Sequence, residues 1–324
     1  MIFSYEQQSD FHRHSSIWTI GCVVLSLFST VGFAADSSYQ SLNQIYQQLQ
    51  AKLDTNDFNA PIVVQSHVDN ENVSGMVYSV IPHPFKQAAQ LFSNATTLCN
   101  ALDFHINVKS CTVSTASSSP VVSLYVGDKD YQQPDEAYRF DYEYRLTANT
   151  DRYLNTQLSA TSGPLDSKNY LISIEAIPIN ENSSFIVFKY SAVYGFMTRL
   201  LINTYLATAG RHKVGFTKVG LDGEGNTKYI KGIEGLVERN AMRYMLAIYS
   251  YLDSLSYPKR QRMDFGLNRW FEFTRQYPRQ LYEIGKDEYL SNKQRELKNQ
   301  QTLQLAITSA SATQQQADDS KTHL

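Results

Sequence analysis

Between Tyr138 and Leu146 the chain alternates without a slip: Tyr138, Phe140, Tyr142, Tyr144 and Leu146 on one parity, Arg139, Asp141, Glu143 and Arg145 on the other. Successive side chains of a strand point to opposite faces, so this run makes a strand with one aromatic and one charged face. That is the pattern of an antiparallel sheet resting one face on a core and turning the other to water. Further strands are expected at 62–67, 76–81, 105–115, 120–126, 153–161, 170–179 and 184–194, separated by turn residues such as Asn180, Glu181 and Asn182. In the last of these Ile186, Phe188, Tyr190, Ala192 and Tyr194 share a face. A small hairpin is expected around Asp222 to Asn226.

Helical periodicity brackets this sheet. Residues 38–54 carry Leu42, Ile45, Tyr46, Leu49 and Leu53 at helical spacing, and Pro84 opens a short helix through Phe85, Ala88, Leu91 and Phe92, followed by another from Thr96 to Leu102. A helix is expected from Phe196 to Ala209. The longest signal is 233–256, where Ile233, Leu236, Val237, Asn240, Tyr244, Ala247, Ile248, Tyr251 and Leu255 form one stripe. Pro258 and Pro278 separate two later helices, at 264–276 and 279–299. From Leu303 onward Gln, Ser, Thr and Ala dominate, which reads as a disordered tail.

The excess of tyrosine, 22 against 2 tryptophans, goes with 16 phenylalanines and a net charge of −2. A nucleic-acid partner is not expected, because no surplus of Lys and Arg is present to neutralise phosphates. Residues 17–35 are apolar, Arg13 precedes them, and Gly32 and Ala34 stand at −3 and −1 of a cut before Ala35. This is the pattern of a signal peptide over residues 1–34, hence of export, in a bacterium to the periplasm. The alternative is a membrane anchor formed by residues 17–35. Cys22 lies too early in the apolar run for a lipidated cysteine. Cys99 and Cys111 are the pair left after such a cut, and in an oxidising compartment their bridge would contribute about 3 kcal/mol. Two buried free thiols are the other reading.

Strand 76–81 with Pro82, His83, Pro84 and Phe85, the paired short helices to Leu102, and the helix from Gly235 to Leu255 resemble the START-like, or Bet v 1-like, helix-grip superfamily (SRPBCC). The resemblance is one of topology. It implies an α+β fold in which a curved antiparallel sheet grips a long C-terminal helix, spanning residues 62–256. An added N-terminal helix (36–58), a helical extension (257–300) and the tail (301–324) flank it. It also implies a hydrophobic cavity for a lipid-like ligand, lined here by Tyr138, Tyr142, Tyr144, Tyr190, Tyr194, Asn240, Tyr244 and Tyr251. Aromatic bodies with hydroxyl tips suit such a wall, and equally suit a polar-tipped core. Some members of the superfamily are enzymes, so the fold leaves function open.

Chemistry-bearing residues are few. Asp103 and His105, one residue apart at a strand start, could share a face as an oriented base, or be a turn residue and a strand-edge residue. Glu175 is expected on the outer face, and His67 and His83 carry no pattern. No metal motif, phosphate loop or nucleophile elbow is present, and no cofactor is implied. Arg199, Arg211, His212, Lys213 and Lys218, close in sequence to Phe196, Leu200 and Leu201, could meet anionic head groups at a membrane surface or form a solvated rim. The expectation is therefore a binding protein for a hydrophobic ligand. A cyclase or hydrolase of the same fold and a cell-envelope interaction protein remain as alternatives.

Overall fold

The computed structural model describes residues 29–56, 58 and 60–322. The residues read as a signal peptide lie outside the described ones up to position 28, and Cys22 with them. Eight strands form one antiparallel sheet: β1 (Ile62–Asp69), β2 (Asn72–Ile81), β3 (Val108–Ser114), β4 (Val121–Val126), β5 (Tyr138–Asn149), β6 (Leu154–Ser162), β7 (Lys168–Asn180) and β8 (Ser183–Val193). Their order is β1-β2-β8-β7-β6-β5-β4-β3. From β3 to β8 each strand pairs with the next in sequence, and β8 then returns beside β2. Two short helices, α2 (Phe85–Phe92) and α3 (Ala95–Leu102), carry the chain from β2 to the opposite edge. The Asn94 side chain caps α3 by accepting the Thr96 and Thr97 N–H groups, at 2.9 and 3.1 Å.

Helix α1 (Ser29–Asp54) starts nine residues before the expected helix and runs through the expected cut at Ala35. It packs on the outer face, where Leu42 and Leu53 meet Ile177, Phe185 and Val187. That face is therefore only partly wet. Tyr153 donates to Glu175 there at 2.6 Å.

After β8 come α4 (Phe196–Ala207), the hairpin β9 (Lys218–Leu221) and β10 (Thr227–Tyr229), and α5 (Gly232–Ser254). The Asp222 carboxylate accepts the Glu224 and Asn226 N–H groups and closes the hairpin turn. Helix α5 lies across the inner face of the sheet, and Val77, Ile81, Phe188, Ala241 and Ile248 are fully buried in the shared core. Three helices follow: α6 (Arg262–Arg275), α7 (Pro278–Leu281) and α8 (Lys286–Thr322).

The tail read as disordered is part of α8, which continues to Thr322. Its partner is the open edge of β3. Gln300 Oε1 accepts the Cys111 N–H at 2.5 Å, and Gln304 both accepts the Val113 N–H and donates to the Val113 carbonyl. Four helical residues advance about 6 Å and two strand residues about 7 Å, so glutamines at i and i+4 match alternate residues of the edge. Further down, Tyr289 donates to the Phe104 carbonyl and Lys293 to that of Val108, at 2.7 and 2.6 Å. Lys109 and Lys293 both pair with the buried Glu296 at 2.9 Å. Among the described residues no helix is long and apolar enough to cross a membrane.

Candidate functional site

The inner face of β5, β7 and β8 meets α5 in a group of phenols. Tyr142 and Tyr170 stand edge to face at 6.3 Å, with Phe140 5.1 Å from Tyr170. Tyr244 of α5 lies between Phe188, at 5.5 Å, and His105, at 4.3 Å. Charge on Tyr170 or Tyr244 would disfavour ionisation of both Tyr142 and Tyr194. Burial, then these neighbours, hold Tyr142, Tyr190 and Tyr194 above the usual phenol range, and burial alone holds Tyr244 there. All four stay neutral, each able to donate and accept a hydrogen bond.

Phe140, Tyr170, Tyr194, Leu236 and Asn240 are half-buried, whereas the centre of the core is closed. Asn240 sits on the sheet-facing stripe of α5 within reach of the Tyr190 hydroxyl and the His105 ring. It is a half-buried polar group beside an otherwise aromatic wall, a composition that suits a small-molecule site.

The other expected lining residues have different places. Tyr138 is 50 % exposed, because its strand begins beyond the cover of α5, and it does not line the interior. Tyr144 donates to the Phe92 carbonyl at 2.7 Å and Thr156 to the same oxygen at 2.8 Å, so Tyr144 ties the end of α2 to the sheet. Tyr190 ties β8 to α5 through the Val237 carbonyl, at 3.3 Å. Tyr251 lies on the α3 side, its ring 6.5 Å from Phe104.

Asp103 and His105 do not form a dyad. Both lie in the turn between α3 and β3, not at a strand start, so strand parity does not apply to them. Asp103 accepts from the Gln300 amide at 2.7 Å. Burial raises its pKa to about 7, against the opposing Lys293 charge and Gln300 bond. His105 Nδ1 accepts the Asn107 N–H at 3.1 Å, which puts the ring proton on Nε2. Burial, then Arg243 and Lys293, push its pKa well below 6.5, so the ring is neutral. Its Nε2 is buried without a good partner.

Sequence reasoning passed over two other groupings. His83 Nε2 meets Asp253 Oδ1 at 2.9 Å, and Arg269 Nε donates to Asp253 Oδ2 at 2.7 Å, in a surface cleft of about 380 Å³. The second is Arg239 and Arg243, one turn apart on α5 and only 1 % and 5 % exposed. Charged residues inside the most buried helix were the available signal. Of the basic residues expected at a surface, Lys213 is committed elsewhere: it pairs with Glu283 at 3.1 Å and donates to the Tyr282 carbonyl. Arg199 donates to the Asn70 carbonyl, and Arg211 to His212 at 2.8 Å. Cys99 and Cys111 are bridged, with Cα atoms 5.3 Å apart. A groove of about 440 Å³ lies above them between α3 and α8. Among the described residues no three His, Cys, Asp or Glu side chains gather as a metal site.

The order β2, α2, α3, β3 to β8 and α5, with β8 returned beside β2 and α5 laid across the inner face, is an α+β helix-grip arrangement. Solved structures overlay on part of it. A START superfamily protein from Mycobacterium smegmatis is 13 % identical and covers 46 % of this chain and 95 % of its own, with a TM-score of 0.29. A norcoclaurine synthase from Thalictrum flavum is 11 % identical and covers 45 % and 90 %, at 0.32. Ginseng major latex-like protein 151, from Panax ginseng, is 13 % identical and covers 44 % and 95 %, at 0.29. Likeness at this level says nothing of ligand or activity. No family model matches the sequence, and no curated protein does.

Proposed function

We propose that this protein is an exported carrier that holds a hydrophobic, lipid-like ligand without covalent chemistry, between the inner face of the sheet and the first half of α5. The observation that carries the reading is the grouping of Tyr142, Tyr170, Tyr194 and Tyr244, with the half-buried Asn240 beside Tyr190 at its border, where rings would supply apolar contact and neutral hydroxyls would orient a polar group. The separate engagements of Asp103 and His105 favour binding over acid–base catalysis. The apolar segment at 17–35 and the Cys99–Cys111 bridge support an oxidising, exported location.

Helix α4 supports delivery at a lipid surface. None of its residues is buried, and Phe196, Met197, Leu200 and Leu201 are 45–74 % exposed. Arg199 and Arg211 accompany them, and β9 adds Lys218 beside exposed Val219 and Leu221. Apolar side chains with cationic neighbours fit an anionic bilayer.

The test is displacement of an environment-sensitive probe, 1-N-phenylnaphthylamine, with organic extraction of protein purified from its own host. Probe binding competed by the extracted lipid, and abolished by Asn240→Trp with the circular dichroism unchanged, is the expected result. A wild-type protein that binds no probe and yields no apolar compound overturns the reading.

A further inference from the structure

Arg239 and Arg243 project from adjacent turns of α5, a spacing at which like charges repel. Both side chains are almost wholly buried, yet three of their nitrogens, Nε and Nη2 of Arg239 and Nε of Arg243, have no hydrogen-bond partner among the described residues. Arg239 makes one contact of ordinary geometry, from Nη1 to the Val214 carbonyl at 3.3 Å, and the Tyr205 hydroxyl lies near it. Arg243 Nη2 pairs with Glu283 at 2.5 Å, and Lys213 pairs with the same carboxylate. Two cations thus share the Glu283 carboxylate, and Arg239 feels its charge without pairing to it. A buried guanidinium with open N–H donors is costly unless an anion completes it.

This cationic pair borders the phenol site. The charge of Arg239 reaches the Tyr190 hydroxyl and that of Arg243 reaches His105, the two groups that flank Asn240. Tyr205, the part of α4 nearest Arg239, belongs to a helix with no buried residue, so the cover can move at small cost.

We propose that Arg239 and Arg243 form the head-group site of an anionic amphiphile, its carboxylate or phosphate ester on the two guanidiniums and its apolar chain among Tyr170, Tyr194 and Leu236. Guanidinium forks match both oxyanions in bidentate fashion. The inference rests on the ligand-binding reading above and adds the chemical class of the ligand.

Calorimetry of the folded protein with dodecyl phosphate, dodecanoate, dodecanol and inorganic phosphate, each below its micellar concentration, tests it. At least one charged twelve-carbon compound binds ten-fold or more tightly than dodecanol, and which one it is separates a phosphate ester from a carboxylate. In Arg239→Gln/Arg243→Gln the preference disappears while dodecanol affinity is kept. Equal wild-type affinity for charged and neutral chains overturns the head-group site and leaves the hydrophobic-ligand reading intact. Binding of inorganic phosphate with no twelve-carbon compound bound overturns the amphiphile and that reading together, as does no binding at all. A preference that persists in the double variant overturns the assignment to these arginines. Should the double variant not fold, the single variants Arg239→Gln and Arg243→Gln make the same comparison, and a preference undiminished in both overturns the assignment.

Discussion

Gln304 treats Val113 as a neighbouring strand would: its Oε1 accepts the Val113 N–H and its Nε2 donates to the Val113 carbonyl, both at 2.8 Å. Gln300 does half of this one turn earlier, at Cys111. An edge strand with open backbone groups invites pairing with another chain, and here a helix covers it.

Replacing Gln304 with Ala leaves two part-buried backbone groups without these partners and is expected to cost about 1–3 kcal/mol. Urea unfolding measures it. Gln304→Ala should also raise the tendency to self-associate, read by light scattering at high concentration. A stability unchanged within error would show that water replaces the amide without loss.

Asp103 makes stability depend on pH. Its folded pKa, about 7, stands above the unfolded 3.8, so the folded state binds more protons between those values. Stability should therefore fall as pH rises from about 4 to about 7 and level off above. The full shift corresponds to at most about 4 kcal/mol. Asp103→Asn keeps an acceptor for Gln300 and removes the charge. It should flatten the profile over this window and stabilise the protein at pH 8, as denaturation across pH would show. An unchanged slope would mean that Lys293 compensates the carboxylate fully.

The sheet was legible because its signal is local: period-two alternation survives whatever packs on it, and β5, which the alternation places at 137–148, lies within one residue of that span. The α2–α3 pair and α5 were legible from apolar spacing for the same reason. The later part of α8 was not, because Gln300 and Gln304 bond to strand backbone and not to a core, and that leaves no apolar period to read. Tyr138 shares the parity of Tyr142, but parity gives the face and not where the covering helix ends. Arg239 and Arg243 lie off the apolar stripe of α5, and their burial comes from α4 and the residues before β9 folding against them, which helical spacing does not reveal.

Arg239 carries a stability prediction that needs no ligand. A buried charge with two open nitrogens is replaced by an apolar chain of similar length in Arg239→Met. Such exchanges are neutral or stabilising by about 1–4 kcal/mol. The melting temperature of the variant, taken in buffer without phosphate or other multivalent anions, should equal or exceed that of the wild type. A clear drop would mean that the guanidinium is well paired in the folded protein.

Helix α4 is held at its start by a residue from another turn. Its N-cap position is Gly195, which has no side chain to cap with, and the Asp166 carboxylate accepts the Met197 and Thr198 N–H groups instead, at 3.2 and 3.3 Å. Asp166 sits in the β6–β7 turn with φ of 59°, beside Leu165 at 58°, so a turn of unusual backbone presents the cap. A Cβ at Gly195 would come within 2.5 Å of that carboxylate, which ties the glycine to the same arrangement. Asp166→Ala and Gly195→Ala should therefore act alike. Amide exchange over residues 196–207 should rise several-fold in both, with little change over α5, because α4 buries no side chain in the core. If α4 covers the entrance, both variants should also bind and release 1-N-phenylnaphthylamine faster in stopped-flow mixing, with a smaller change in affinity. Faster exchange with unaltered probe kinetics would place the entrance elsewhere along the sheet.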